Sequence, residues 1–293
     1  VADYLIREKI IGCGWGINEQ KNKKIKNFLE YEKAAKLEYS KGITAAALTL
    51  NKKILAGDYV WIHSEGVYYI GKVEEESKWV YWTDADELDI HNVRTHITWY
   101  PACSLHNSLK KMADESDVPG AITTSFIRGR TIQKINKEGI QEYSDWVYSK
   151  VSGEKMKTEK IKLTENKFFS YLGTEQLEDL TYIWLYDKYG YIVIPSTNKK
   201  GTQLYEFVLL NPKKEKLTKA YLQVKLGEVT LDSKKYRNLD GIVYLVTTQG
   251  EILNSDNTDN VCIIKSKELY EFAKNRNNWY VLPQSITSWF EME

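Results

Sequence analysis

Between residues 173 and 226 the spacing of apolar positions changes period once. Leu177, Leu180, Ile183 and Trp184 recur at helical steps behind Thr174, whose hydroxyl is placed to cap, and early acids Glu175, Glu178 and Asp179 favour a helix start. The helix should stop near Tyr189-Gly190. Then come three short runs, Tyr191-Ile192-Val193-Ile194-Pro195, Tyr205-Glu206-Phe207-Val208-Leu209-Leu210 and Ala220-Tyr221-Leu222-Gln223-Val224-Lys225-Leu226, β-branched or aromatic and bounded by turn residues. They predict three strands, with Asn211-Pro212-Lys213 opening the turn between the last two. A helix starting at Asp232-Ser233-Lys234-Lys235-Tyr236 and a strand over 241–247 continue an α/β order. Alternation puts Gln223 and Lys225 on one face, and a hairpin register would set Glu206 beside them.

The first half reads differently. Gly57-Asp58-Tyr59-Val60-Trp61-Ile62-His63 and Gly66-Val67-Tyr68-Tyr69-Ile70-Gly71-Lys72-Val73 predict two strands around a Ser-Glu-Gly turn, and Trp79-Val80-Tyr81-Trp82 a third. Residues 26–40 have helical character, while 43–50 fit helix or strand. Short aromatic strands with tight turns indicate a small β-barrel. In 125–135, Arg128, Arg130 and Lys134 alternate with apolar residues, the pattern of a strand touching a DNA backbone or of an ordinary charged strand face. Six of nine tryptophans and all four histidines fall before residue 151. This asymmetry, with a length of 293 residues, predicts two domains, 1–147 and 163–293, joined by a polar linker at 148–162.

Net charge is only +1, from 41 basic against 40 acidic residues, so any nucleic-acid surface is local. Cys13, Cys103 and Cys262 are widely spaced, which fits a reducing cytoplasm and excludes a disulfide framework. His91 and His96, with His63 or Cys103, lack a recognisable metal-ligand spacing. No Ser/His/Asp nucleophile, phosphate-binding glycine loop or dinucleotide fingerprint occurs, which argues against nucleotide hydrolysis and covalent catalysis. With no membrane-spanning apolar run and no signal-peptide pattern at Val1-Ala2-Asp3-Tyr4, a soluble cytoplasmic protein is expected.

An acidic helix, a strand carboxylate and Gln223-Val224-Lys225 together resemble the PD-(D/E)XK nuclease superfamily, and the glutamine resembles its Mrr-like restriction branch. The resemblance implies a restriction-endonuclease-like α/β core binding Mg²⁺ or Mn²⁺, with Glu206 as main ligand, Gln223 and the Val224 carbonyl as further ligands, Lys225 as catalytic lysine, and Glu178 acting through water on the metal. Two features depart from the family: its central acid is usually Asp rather than Glu, and no proline-aspartate dipeptide precedes Glu206. Taken singly, Glu206 and Lys225 also fit a cross-strand ion pair, and Glu178 a solvated helix acid. Between the first two strands, Ser196, Thr197 and Lys199 lie in a loop that fits phosphate contacts or plain solvation.

Gly12-Cys13-Gly14-Trp15-Gly16, Asp58-Tyr59-Val60-Trp61, Tyr68-Tyr69-Ile70-Gly71-Lys72-Val73 and Val118-Pro119-Gly120-Ala121 resemble PUA-like domains, including EVE-type modules. That implies a β-barrel taking a flipped, often modified base, with Trp15, Trp61, Trp82 and Trp99 as stacking rings, although aromatics of a small barrel also serve as core. The combined expectation is an α+β reader followed by an α/β nuclease, cutting foreign, base-modified double-stranded DNA, with a homodimer for double-strand cuts. The alternatives are a noncatalytic nucleic-acid reader on a nuclease-like scaffold, and an RNA-directed PUA-like protein.

Overall fold

The computed structural model of the chain describes all residues except 18–24, 40–41, 104–111, 128, 130, 199–203, 214–217 and 258. Two compact units form, one from residues 1–114, 122–136 and 140–159, the other from 115–121, 137–139 and 160–293. The architecture is mixed α+β with several small sheets. Among the described residues no helix is long and apolar enough to cross a membrane.

In the first unit, α1 (Ala2–Arg7) leads to β1 (Ile11–Cys13), then α2 (Phe28–Glu38) and α3 (Ala45–Lys52) precede β2 (Tyr59–Ser64), β3 (Val67–Val73), β4 (Trp79–Tyr81), β5 (Asn92–Arg94) and β6 (Ile97–Pro101). The open stretch 43–50 is thus helix, with the Ala47 N–H donating to the Thr44 hydroxyl at 3.3 Å. Glu65 and Gly66, both at positive φ, close the β2–β3 hairpin as expected of a tight two-residue turn.

The expected barrel is not what forms. Two separate antiparallel sheets stand in its place, ordered β1-β5-β4 and β2-β3-β6, with no closed barrel among the described residues. The physical reason lies in length and cover: three of these strands have only three residues, and α2 packs on β4 and α3 on β5, so helices rather than further strands meet the sheet.

Two more expectations are corrected. The described residues of 125–135 do not make a strand; α4 (Gly120–Ile127) takes their start, because Ile122 is buried and Phe126, one turn on, meets Tyr68 at 5.8 Å. Lys134 lies exposed in irregular chain, and Arg128 and Arg130 lie outside the described residues. Nor is 148–162 a free linker. Helix α5 (Ile140–Ser152) runs through its start and buries Tyr148, and beyond it Lys72 pairs with Glu154 while Lys157 and Thr158 donate to Asp145. Polar composition did not reveal that these residues have specific partners.

In the second unit, α6 (Glu165–Tyr171) and α7 (Thr174–Tyr189) precede β7 (Ile192–Val193), β8 (Phe207–Asn211), β9 (Thr218–Lys225), β10 (Leu231–Asp232), β11 (Ile242–Thr247), β12 (Ile252–Leu253) and β13 (Val261–Ile263), then α8 (Ser266–Lys274) and α9 (Gln284–Glu291). The main sheet is ordered β13-β11-β9-β8-β7; β7, β8 and β9 form an antiparallel meander, and β11 runs parallel to β9 and β13. Helix α7 begins at Gly173 rather than at a Thr174 cap, the Gly173 N–H donating to the Gln176 side chain at 2.9 Å. Its stripe Leu177, Leu180, Thr181, Trp184 and Leu185 is buried, as the helical spacing predicts.

The carboxy-terminal aromatics close this core. Trp289 is fully buried with its ring 4.7 Å from Tyr171, and Phe290 lies 4.9 Å from Phe168. The helix expected from Asp232 is instead a single 3-10 turn, Ser233–Tyr236. Asp232 accepts from the Lys234 N–H and the Asn254 amide, and the Ser233 hydroxyl donates to the Asn254 carbonyl at 2.6 Å, so the turn is tied down before a helix can propagate.

Candidate active site

The β8–β9 register pairs Phe207 with Leu222 and Val208 with Tyr221, and its continuation sets Glu206 opposite Gln223. Glu206 lies one residue before β8, not within it, yet its N–H still donates to the Leu222 carbonyl at 2.7 Å. On β9, period two turns Gln223 and Lys225 to the same face. The Gln223 amide Nε2 donates to Glu206 Oε1 at 2.9 Å and Lys225 Nζ to the same oxygen at 2.8 Å. Carboxylate, amide and ammonium therefore meet as the hairpin register implies.

The end of β9 is braced. The Thr248 N–H donates to the Lys225 carbonyl at 3.2 Å, the Gly227 N–H to the Thr248 hydroxyl at 2.7 Å, and the Thr247 hydroxyl to the Val229 carbonyl at 2.9 Å. The Val224 side chain is fully buried, pointing to the opposite face of the strand from Gln223.

Glu178 is only 8% exposed, on the margin of the α7 stripe. Burial, then the negative charge of Glu206, with Asp179 and Glu175 adding to it against the attraction of Lys225, pushes its carboxyl up to about 7. Gln223 is 1% exposed, and its Oε1, turned away from the donating Nε2, has no hydrogen-bond partner among the described residues. A buried acceptor left this way is costly, so it marks a place where a further donor or cation would be favourable.

Sequence reasoning missed Tyr236. It is 3% exposed and packs with Val208 and Tyr221, the residues two positions from Glu206 and Gln223 on the same strand faces. Burial, then the charge of Glu206, raises its phenol. No spacing marks it, because the path of a strand-to-strand crossover is not coded by periodicity.

Other candidates do not join this cluster. The Thr197 hydroxyl donates to the Ile194 carbonyl at 2.6 Å and accepts from the Val208 N–H at 3.0 Å, which occupies it within the fold. Ser196 is exposed in the same 3-10 turn, Pro195–Thr197, and Lys199 lies outside the described residues.

In the first unit the four candidate tryptophans fall into three packing groups. Trp61 donates from Nε1 to the Ser144 hydroxyl at 3.1 Å and stacks on Tyr143; Trp82 donates to the Tyr4 hydroxyl at 3.0 Å beside Leu5 and Ile90. Trp99 donates to the Ile10 carbonyl at 3.2 Å, its ring over Gly71, where a Cβ would come within 2.6 Å of it. Trp15, at φ 64, packs against the same Ile11, Cys13 and Ile97 group as Trp99, and its carbonyl accepts from the Tyr31 hydroxyl at 3.0 Å. Among the described residues no group of three or more His, Cys, Asp or Glu side chains is placed to hold a metal.

Comparison with protein-family models, with curated proteins and with solved structures finds no match to this chain.

Proposed function

We propose that the chain is a Mg²⁺-dependent endodeoxyribonuclease of the Mrr-like PD-(D/E)XK type, cutting foreign, base-modified double-stranded DNA in a restriction or anti-phage role, its first unit serving as a nucleic-acid reader. What carries the reading is one observation: Gln223 and Lys225 converge on Glu206 beside a buried Glu178, with the Gln223 Oε1 unpartnered.

The donor set fits a hard divalent ion. It offers carboxylate and amide oxygens only, the ligands preferred by Mg²⁺ and Mn²⁺, and a cation would satisfy the buried amide oxygen that no donor reaches. Two acids and an amide also fall outside any cluster of three acidic, His or Cys ligands. Glu206, Gln223 and the Val224 carbonyl would hold the ion, which supplies Lewis-acid stabilisation of the phosphate and a more acidic water. Lys225 Nζ, fixed by Glu206 and the braced end of β9, stabilises negative charge developing on the scissile phosphate. Glu178, balanced near neutral pH, is suited to taking a proton. One such site cuts one strand, so a double-strand break requires a second copy of the chain or a second binding event.

The test is cleavage of unmodified and phage-derived modified DNA with Mg²⁺ or Mn²⁺, comparing wild type, Glu206→Ala and Lys225→Ala, each checked by circular dichroism. Both variants should lose about 100-fold or more in rate while keeping the wild-type spectrum. Absence of cutting by the wild type on either DNA would overturn the nuclease reading in favour of a noncatalytic reader.

A further inference from the structure

The β9–β11 crossover lies over the face of the sheet that carries Glu206, Gln223 and Lys225. Side chains at 221, 223 and 225 share that face of β9, and those at 206 and 208 share it on the neighbouring strand. Tyr236 of the crossover packs onto Tyr221 and Val208 there, and Leu231 joins the same apolar group. The crossover is therefore a neighbour of the Glu206 cluster and not a remote loop.

Its residues divide sharply by exposure. Ser233 and Tyr236 are buried, whereas Lys234, Lys235 and Arg237 are exposed. The turn is also rigidly held: Asp232 caps it through the Lys234 N–H at 3.1 Å and accepts the Asn254 amide at 2.9 Å, while Ser233 is fixed to the Asn254 carbonyl. The one acid within the turn is thus committed to holding its backbone. A chain with a net charge of only +1 has concentrated three cations on five consecutive residues, on an anchored turn beside a site suited to a phosphodiester.

We infer that Lys234, Lys235 and Arg237 form a phosphate-binding ridge that holds the DNA backbone next to the Glu206 cluster, with Ser233 and Tyr236 as the buried posts that set its position. The inference rests on the nuclease reading for its partner, duplex DNA. The ridge contacts phosphates only, so it positions the strand without reading sequence. Neutralising n phosphates gives a salt dependence of about −0.9n in log affinity against log salt, so the ridge predicts a definite share of the slope.

The experiment measures binding of a short labelled DNA duplex to the 293-residue chain carrying Glu206→Ala, in EDTA, from about 50 to 200 mM salt. The comparison is between that background, the same with Lys234→Ala, Lys235→Ala and Arg237→Ala, and the same with Lys265→Ala, Lys267→Ala and Lys274→Ala as a charge-matched control. The control lysines are exposed and lie on or next to α8, whose Glu268 pairs with Lys188 near the opposite end of α7 from Glu178. All three proteins are checked by circular dichroism.

The ridge variant should bind at least tenfold more weakly at low salt and lose about two to three units of slope, with the control close to the background. An unchanged slope, an equal loss in the control, or a background that does not bind DNA would each overturn the ridge. Because binding is read without metal, a wild type that fails to cleave but binds through these three residues would sink the nuclease reading and leave the ridge standing.

Discussion

Two buried carboxylates, Asp145 in the first unit and Glu178 in the second, are treated in opposite ways. In the first unit Asp145, 2% exposed, accepts from the Tyr59 hydroxyl at 2.6 Å, the Lys157 N–H at 2.7 Å, and the Thr158 N–H and hydroxyl at 2.6 and 2.8 Å. Burial by itself would push its carboxyl up, but these donors together hold it below the usual range. Glu178 in the second unit receives no hydrogen bond from any described residue and faces the like charge of Glu206. An acid surrounded by donors is fastening chain to chain; an acid kept without them beside another acid is held at a cost in stability.

The contrast has consequences of different size. The largest should follow Asp145→Ala, which leaves four donors without their acceptor and releases 153–158 from α5; a loss of about 3 kcal/mol in urea denaturation is expected. Because the folded-state value of Asp145 lies below its ordinary one, its contribution is present above about pH 4 and disappears as pH falls through the folded value. A loss under about 1 kcal/mol would mean that the clasp is not what binds this segment.

For Glu178 the sign reverses. Its folded-state value of about 7 lies above the ordinary 4.5, so the folded protein binds the extra proton in that interval. The destabilisation is absent below about pH 4.5, grows as pH rises, and is complete above about 7. Replacing it as Glu178→Gln should therefore stabilise the protein by about 2–3 kcal/mol at pH 8, with the gain vanishing towards pH 4.5. Parallel stability curves for variant and wild type across that range would remove the contrast between the two acids.

The smallest effect concerns the tryptophans. Trp61→Phe removes the Nε1 bond to Ser144 while keeping a ring against Tyr143, so a loss of about 1 kcal/mol in thermal unfolding is expected, with DNA binding unchanged. A large drop in DNA affinity at unaltered stability would instead assign that ring to a base.

The second unit was the more legible half. The apolar spacing of Leu177, Leu180 and Trp184 and the runs ending at Lys225 mark α7 and the β8–β9 hairpin, and period two with hairpin register is enough to bring Glu206, Gln223 and Lys225 together. Local rules succeed there because the cluster is built from neighbouring strands. In the first unit they mislead. The run 125–135 has strand-like alternation, yet its start belongs to a helix that buries Ile122 and sets Phe126, one turn on, against Tyr68; three-residue strands look like pieces of a barrel, yet helices α2 and α3 cover them.

By itself the sequence determined which segments alternate and which wind, where the hairpins turn, and which residues share the face of β9, because these depend on interactions a few residues apart. Only the tertiary structure decided that Glu178 is buried without donors while Asp145 is buried among four, that the polar stretch after α5 is clasped instead of free, and that Tyr236 lies over the Glu206 face. Burial and the pairing of polar groups are set by contacts from residues distant along the chain, and no local pattern encodes which of two similar carboxylates will find its donors.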